Sequence, residues 1–435
     1  MKPIAIQPLV TRKASPPSPA VNTGMHPRWL LAAPHRLGFF AAACMLATTA
    51  LWWAAVLLAG AAGYAPTAWA VPPPVAHALL MGLGFMPLFI VGFLFTAGPR
   101  WLGQPDVPAR SLLAPVLLMG LGWNLVLPGV HLQATVAGAG MTLVACGWTW
   151  LCRRFITILR ASRVPDRTHA RLVAMSCAIG AAAMWVAAWS LATGEVTVLR
   201  AATQVALWGF IAPVFVAVSH RMIPFFSASA LPVLDAWRPM WLQWVMLGAV
   251  WLEAPMAVAQ LWWWPLPSAL LWLMAAIELP AAALLLWLAL RWGLVQSLKI
   301  RLLAMLHGGF VWLGVSFALA GVSHAMLAFS DGTRSLGLAP LHAMTMGYLG
   351  ATMFAMATRV SSGHSGRALA ADNPAWTLYW VLQTAAVLRV ASALWPSAAT
   401  PLLVLAITAW ALATVGWAVR YGRWFVKPRV DGRPG

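Results

Sequence analysis

The chain has 435 residues, 62% of them hydrophobic and only 9% charged, with a formal net charge of +19. Soluble domains carry about a quarter charged residues, and no soluble interior of this length could hide so much apolar surface, so the composition excludes a soluble globular protein and leaves the lipid bilayer as solvent. The basic excess would point to nucleic acid in a soluble chain; among so many apolar runs it reads as membrane topology, and no nucleic-acid partner is expected.

Residues 1–24 are rich in Pro, Ser and Thr and carry Lys2, Arg12 and Lys13, the composition of a disordered basic tail. The first apolar run starts near Leu37 and is too long for the apolar core of a signal peptide. A spanning helix needs roughly 20 apolar residues. On that measure spans are expected at 37–60, 75–98, 111–128, 130–150, 172–192, 201–219, 239–260, 266–290, 302–328, 340–358, 376–394 and 401–419. The third and fourth are parted only by Pro128 and Gly129, which predicts a tight turn. The connections alternate between basic and nearly uncharged. With the N-terminus inside, every Lys and Arg falls on the cytoplasmic side except Arg200, Arg334 and the intramembrane Arg389. One span more or fewer would destroy this positive-inside pattern. The expected fold is therefore all-α: a polytopic transmembrane bundle of about twelve spans, both termini cytoplasmic, in one domain over 25–425 with a basic tail at 426–435. The bilayer is its solvent, crossed many times.

Cys44, Cys146, Cys152 and Cys177 lie in or beside apolar segments with no C-x-x-C pair, so neither a disulfide framework nor a thiolate zinc site is expected. Trp52 and Trp53 lie inside an apolar run and are expected to pack between helices. Of the ten histidines, His26 and His169 fall in basic segments and read as solvated loop residues. The others sort by topology into two layers. His77, His342 and His324 lie in the periplasmic half with His131 at its edge; His35, His220, His307 and His364 lie in the cytoplasmic half. Intramembrane ionisable residues are costly and tend to mark sites. Only Glu253 and Glu278 are carboxylates within spans, each close to a proline (Pro255, Pro280), and both are expected to satisfy backbone or helix–helix hydrogen bonds. Imidazoles with few acids near them suit haem or a metal, because a neutral ring nitrogen ligates iron or copper. The leading candidates are His77 and His342, then His35 and His364, then His324 and His307 as further metal ligands. Arg36, Arg100, Arg221 and Arg359 cluster at cytoplasmic span ends, where a fork of N–H donors suits carboxylates such as haem propionates. His77-Ala78-Leu79-Leu80-Met81-Gly82 in the second span resembles His342-Ala343-Met344-Thr345-Met346-Gly347 in the tenth. Both run in the same direction, which would make a parallel repeat.

At these residues the chain resembles the NnrS family of membrane proteins. The resemblance rests on Pro34 to Phe40; on His77 through Trp101 with Gly92-Phe93-Leu94-Phe95-Thr96-Ala97; on Arg221-Met222-Ile223-Pro224-Phe225-Phe226; and on His342 through Arg367, ending Arg359-Val360-Ser361-Ser362-Gly363-His364-Ser365-Gly366-Arg367. It departs at Leu80, where the family often has Glu, and at His220, where Gly is expected. The resemblance implies haem, of b type, with copper, and a part in the response to nitric oxide and resistance to nitrosative stress. Nitric oxide or a related small molecule would be the partner. The layout is also similar to subunit I of the haem-copper oxidases, which carries haem ligands on its second and tenth helices. The chain lacks that family's adjacent His-His pair, its His-x-x-x-Tyr and its His-x-His, so a reductase of that kind is an alternative at fold level only. The other alternative is a transporter without redox cofactor, its path lined by His77 and His342.

Overall fold

The computed structural model describes residues 24–64 and 68–432. The basic tail expected over 1–24 lies, apart from Gly24, outside them, as do residues 433–435. The described chain is helical throughout and contains no strand. Eleven helices are long and apolar enough to cross a membrane. In the numbering used below they are α1 (Pro34–Ala61), α2 (Pro73–Trp101), α3 (Arg110–Leu132), α4 (Ala134–Ala161), α5 (Thr168–Thr193), α6 (Val196–Ala230), α7 (Met240–Trp262), α8 (Ser268–Arg291), α9 (Arg301–Phe329), α11 (Asn373–Leu394) and α12 (Pro396–Phe425). Between α9 and α11 runs α10, residues 339–364, continuous helix with a π-helical stretch at Ala343–Gly350.

Helix α10 is the tenth expected span. Thr345, Gly347, Tyr348, Thr352 and Thr358 dilute its apolar content, so it is less apolar than the other eleven. The chain ends show that it crosses. His26 N–H donates to the Val426 carbonyl (2.8 Å), and the Arg36 guanidinium to the Lys427 carbonyl (2.7 Å). Both termini therefore share one end of the bundle, which an even number of passes requires.

Local chemistry sets the helix boundaries. Proline occupies the first turn of α1, α2, α10 and α11, where its missing N–H costs nothing. Asp372 caps α11 by accepting from the Ala375 N–H at 3.1 Å. The turn expected at Pro128 and Gly129 falls later: α3 continues to Leu132 and the chain reverses at Gln133 in extended backbone (φ −162°). Pro128 is accommodated inside the helix, as prolines are where neighbouring helices re-satisfy the backbone. In α2, Pro87 cannot donate to the Leu83 carbonyl, and regular helix is interrupted at Gly84 and Phe85.

Burial orders the bundle. In the most apolar stretch of α2 and of α6, 78% of residues are buried, against 33% in α8 and α11. The former are central; the latter turn Leu273, Leu286, Trp287, Trp380 and Val387 outward, which only lipid accepts. Helices α1 and α2 cross with almost no gap. A Cβ built on Gly38 would lie 2.5 Å from the Gly92 nitrogen, the small-residue contact that brings membrane helices together without a hydrophobic drive. Trp417 on α12 donates its indole N–H to Thr358 Oγ1 on α10 at 2.9 Å, both groups fully buried. Thr358→Val orphans that N–H and is expected to cost about 1–3 kcal/mol, read as a lower melting temperature in detergent.

Candidate functional site

The two histidine layers occupy opposite ends of the bundle. At the end away from the termini, His77 of α2 and His342 of α10 line one cavity of about 270 Å³, together with Trp53, Met81, Phe85, Arg389 and Trp410. The Trp53 ring stacks on His77 with centroids 4.3 Å apart. The His77 Nδ1 is buried without a partner. His342 Nδ1 lies 3.0 Å from the Leu338 carbonyl. A carbonyl only accepts, so Nδ1 carries the proton and Nε2 keeps its lone pair, the arrangement that prepares an imidazole to ligate. The π stretch of α10 begins one residue after His342, and a second π stretch, Ala206–Ile211 in α6, puts Leu207 and Ile211 on the same cavity. Such bulges are rare and gather at functional sites. Arg389 binds Ser392 Oγ (3.0 Å) and has no carboxylate partner among the described residues. Sequence reasoning did not choose it as a site residue, though an arginine inside a span with no acid nearby was the available signal.

At the other end, His35 on α1 and His364 on the last turn of α10 approach with ring centroids 4.5 Å apart. Both line a cavity of about 390 Å³ with Thr96, Arg100, Asp106 and Arg110. His35 is 2% exposed and its Nδ1 has no partner. Residues 359–364 are helix, and the turn that follows begins at Ser365. The four arginines do not share this cavity. Arg100 lines it and pairs with Asp106 at 3.8 Å. Arg36 is next to His35 in sequence but spends a donor on the Lys427 carbonyl. Arg221 stacks over Trp101 (5.0 Å) and Arg359 over Phe226 (3.9 Å); a cation–π contact satisfies each guanidinium locally.

The remaining histidines each make at least one hydrogen bond within the protein, although the Nδ1 atoms of His169 and His307 are buried without a partner. His131 accepts from the Trp52 indole N–H (2.8 Å) and holds the Ala68 carbonyl at 3.1 Å, so Trp52 and Trp53 both pack on histidines. His324 sets Nδ1 2.8 Å from a Glu278 oxygen and Nε2 3.3 Å from the Gln260 amide, which leaves neither nitrogen for a metal. Glu278 thereby makes the helix–helix bond expected of it. His307 Nε2 meets Ser227 Oγ at 2.9 Å. His169, read above as a solvated loop residue, is 4% exposed in the first turn of α5. Its Nε2 lies 3.0 Å from His220 Nδ1, and His220 Nε2 lies 3.2 Å from the Pro239 carbonyl. The carbonyl fixes His220 as the Nε2–H tautomer, so His169 donates. The helix begins at Thr168, ahead of the span expected from 172, and so carries the ring inward in its first turn. His26 alone stays exposed, accepting from the Arg28 N–H.

Elimination leaves four histidines with nitrogen free on a cavity, two at each end. Among the described residues no three or more His, Cys, Asp or Glu side chains converge on one point. A metal held only by protein atoms wants three or four ligands; a porphyrin iron, with its equatorial positions filled by the ring, wants one or two. Pairs of histidines beside cavities therefore fit haem, while the copper expected with it finds no such set among the described residues. No curated protein gives a significant match to the chain. The family model for the NnrS protein matches residues 29–429, nearly its whole length, and the chain belongs to the NnrS family.

Proposed function

We propose that this NnrS-family membrane protein acts in the response to nitric oxide and holds a b-type haem in the cavity between α2 and α10. The observation that carries this reading is the pairing of His77 and His342 on one cavity, with His342 Nδ1 tied to a carbonyl and its Nε2 left free. Haem, when bound, supplies an iron that takes nitric oxide. Everything else falls to the chain. Trp53 holds the His77 ring flat against its own face. Leu338 sets the tautomer and direction of His342. Met81, Phe85, Leu349 and Trp410 keep water from the cavity walls. Arg389 offers the cavity its cation, suited to a propionate. In this reading the membrane is a bacterial inner membrane with the shared end of the termini in the cytoplasm, which the positive-inside charge bias supports; His77 and His342 then lie in the outer half and the His35–His364 cavity at the cytoplasmic face.

Optical spectra and metal analysis of the purified full chain, produced with ample haem, test the proposal. A Soret band with about one haem iron per chain is the expected result. A colourless protein free of iron would overturn it.

A further inference from the structure

The sequence shows two intramembrane carboxylates on separate helices; the structure joins them. Glu253 on α7, Glu278 on α8 and His324 on α9 meet in the half of the bundle away from the termini. Glu278 is fully buried and its two oxygens lie 3.0 and 2.8 Å from His324 Nδ1. Gly321, one turn before His324, lets α9 come close enough: a Cβ there would sit 3.3 Å from the Glu278 Cβ. Glu253 lines the same cavity as His324, the hydrogen-bond partner of Glu278. It is 8% exposed, and its Oε1 is buried with no partner.

Beside this trio is a cavity of about 450 Å³, distinct from the one that holds His77. Glu253 and His324 line it, with Gln204, Gln260, Ser316 and Ser323 as polar neighbours and Arg200 of α6 as the other charged side chain. The segment that closes it between α9 and α10 contributes Gly332, Ser335, Gly337 and Leu338, none of them charged. A polar cavity of this size holds water. Two carboxylates buried in one cluster repel if both are ionised, and neither has a lysine or arginine partner among the described residues. A purely structural clip between α8 and α9 needs Glu278 and His324 only; it leaves Glu253, which lines the wet cavity and has one oxygen buried without a partner, without a purpose.

We propose that Glu253, Glu278 and His324 form a proton-binding site that exchanges with the cavity at the end of the bundle opposite the termini. A proton from cavity water adds to a Glu253 oxygen and passes to a Glu278 oxygen, which faces His324 Nδ1. The water O–H bond breaks as the Glu253 O–H bond forms, that bond breaks as the Glu278 O–H bond forms, and the hydroxide left behind is neutralised by a hydronium ion of the cavity water.

Infrared difference spectra of the full chain in lipid vesicles, taken across a pH titration, should show a protonated-carboxyl band that shifts in D2O. Glu278→Gln or Glu253→Gln should remove it, and His324→Gln should move the pH at which it appears. Dicyclohexylcarbodiimide, an apolar reagent for protonated carboxyls, should label Glu253 or Glu278 in the unmodified chain, less at higher pH. Absence of both band and adduct in the unmodified chain would overturn the proposal, as would a band that survives both glutamine substitutions. The first two readouts need no variant, so a misfolded substitution cannot decide the matter. The Soret band is read separately and should persist in Glu278→Gln, which keeps this test apart from that of haem binding.

Discussion

His342→Ala is expected to lower haem affinity by at least about 100-fold, since losing even a partner that merely orients a ligand costs about 10–100-fold. The substitution removes the imidazole whose Nδ1 is fixed by the Leu338 carbonyl, and His77 is the other imidazole lining the cavity. His77→Ala should behave alike. His131→Ala and His324→Ala should retain haem, because the nitrogens of both rings are already engaged by Trp52 and Ala68 or by Glu278 and Gln260. Soret absorbance per chain, checked by total haem after extraction, reads the series. Full haem in the double variant His77→Ala/His342→Ala would move the site elsewhere, with the His35–His364 cavity next in line.

The second large effect is structural. Gly38→Leu places a side chain where the Gly92 nitrogen and Cα would stand 2.5 and 2.6 Å from its Cβ. Those atoms are backbone, so the clash cannot be relieved by a rotamer; α1 and α2 must separate. The cost should be about 3 kcal/mol or more, at the upper end of overpacking. It should appear as loss of a monodisperse species in detergent, or a much lower melting temperature. Gly60→Ala is the control, because a Cβ there meets nothing within 4 Å. Equal stability of the two variants would mean that α1 and α2 do not cross as described. His35 is one turn from Gly38, so any surviving Gly38→Leu protein should also lose the approach of His35 to His364.

Much of this architecture was legible because membrane topology is written in charge. The apolar run at 340–358 already marks α10 as a span, and the alternation of basic and neutral connections, which one span more or fewer would destroy, supports the even count. The bond from Arg36 to the Lys427 carbonyl is the three-dimensional form of the same parity. The layering of the histidines was legible for the same reason, since depth follows from topology. What could not be read was lateral position. Depth says that His77, His131, His324 and His342 share a level; only packing shows that His131 turns to Trp52, that His324 turns to Glu278, and that His77 and His342 are left to face one cavity. The convergence of Glu253 and Glu278 was hidden for the same reason. His169 failed differently: its neighbours are basic, but one helical turn decides whether a ring at a boundary points to water or inward, and boundaries are the weakest part of any sequence reading.

The π stretch in α10 has a consequence for how the helix can change. A π bulge holds one residue more than an α-helical turn would, so the two halves of α10 are offset in angle by about 100°, the rotation of one residue. His342 lies at the start of the stretch and His364 beyond it. Deleting Met346 would let the helix close into regular hydrogen bonding at little cost to its length. It would also swing His342 about the helix axis relative to His364, so that the two ends of α10 could no longer both face their cavities. The bulge thus acts as a phase shift between the two ends of the protein.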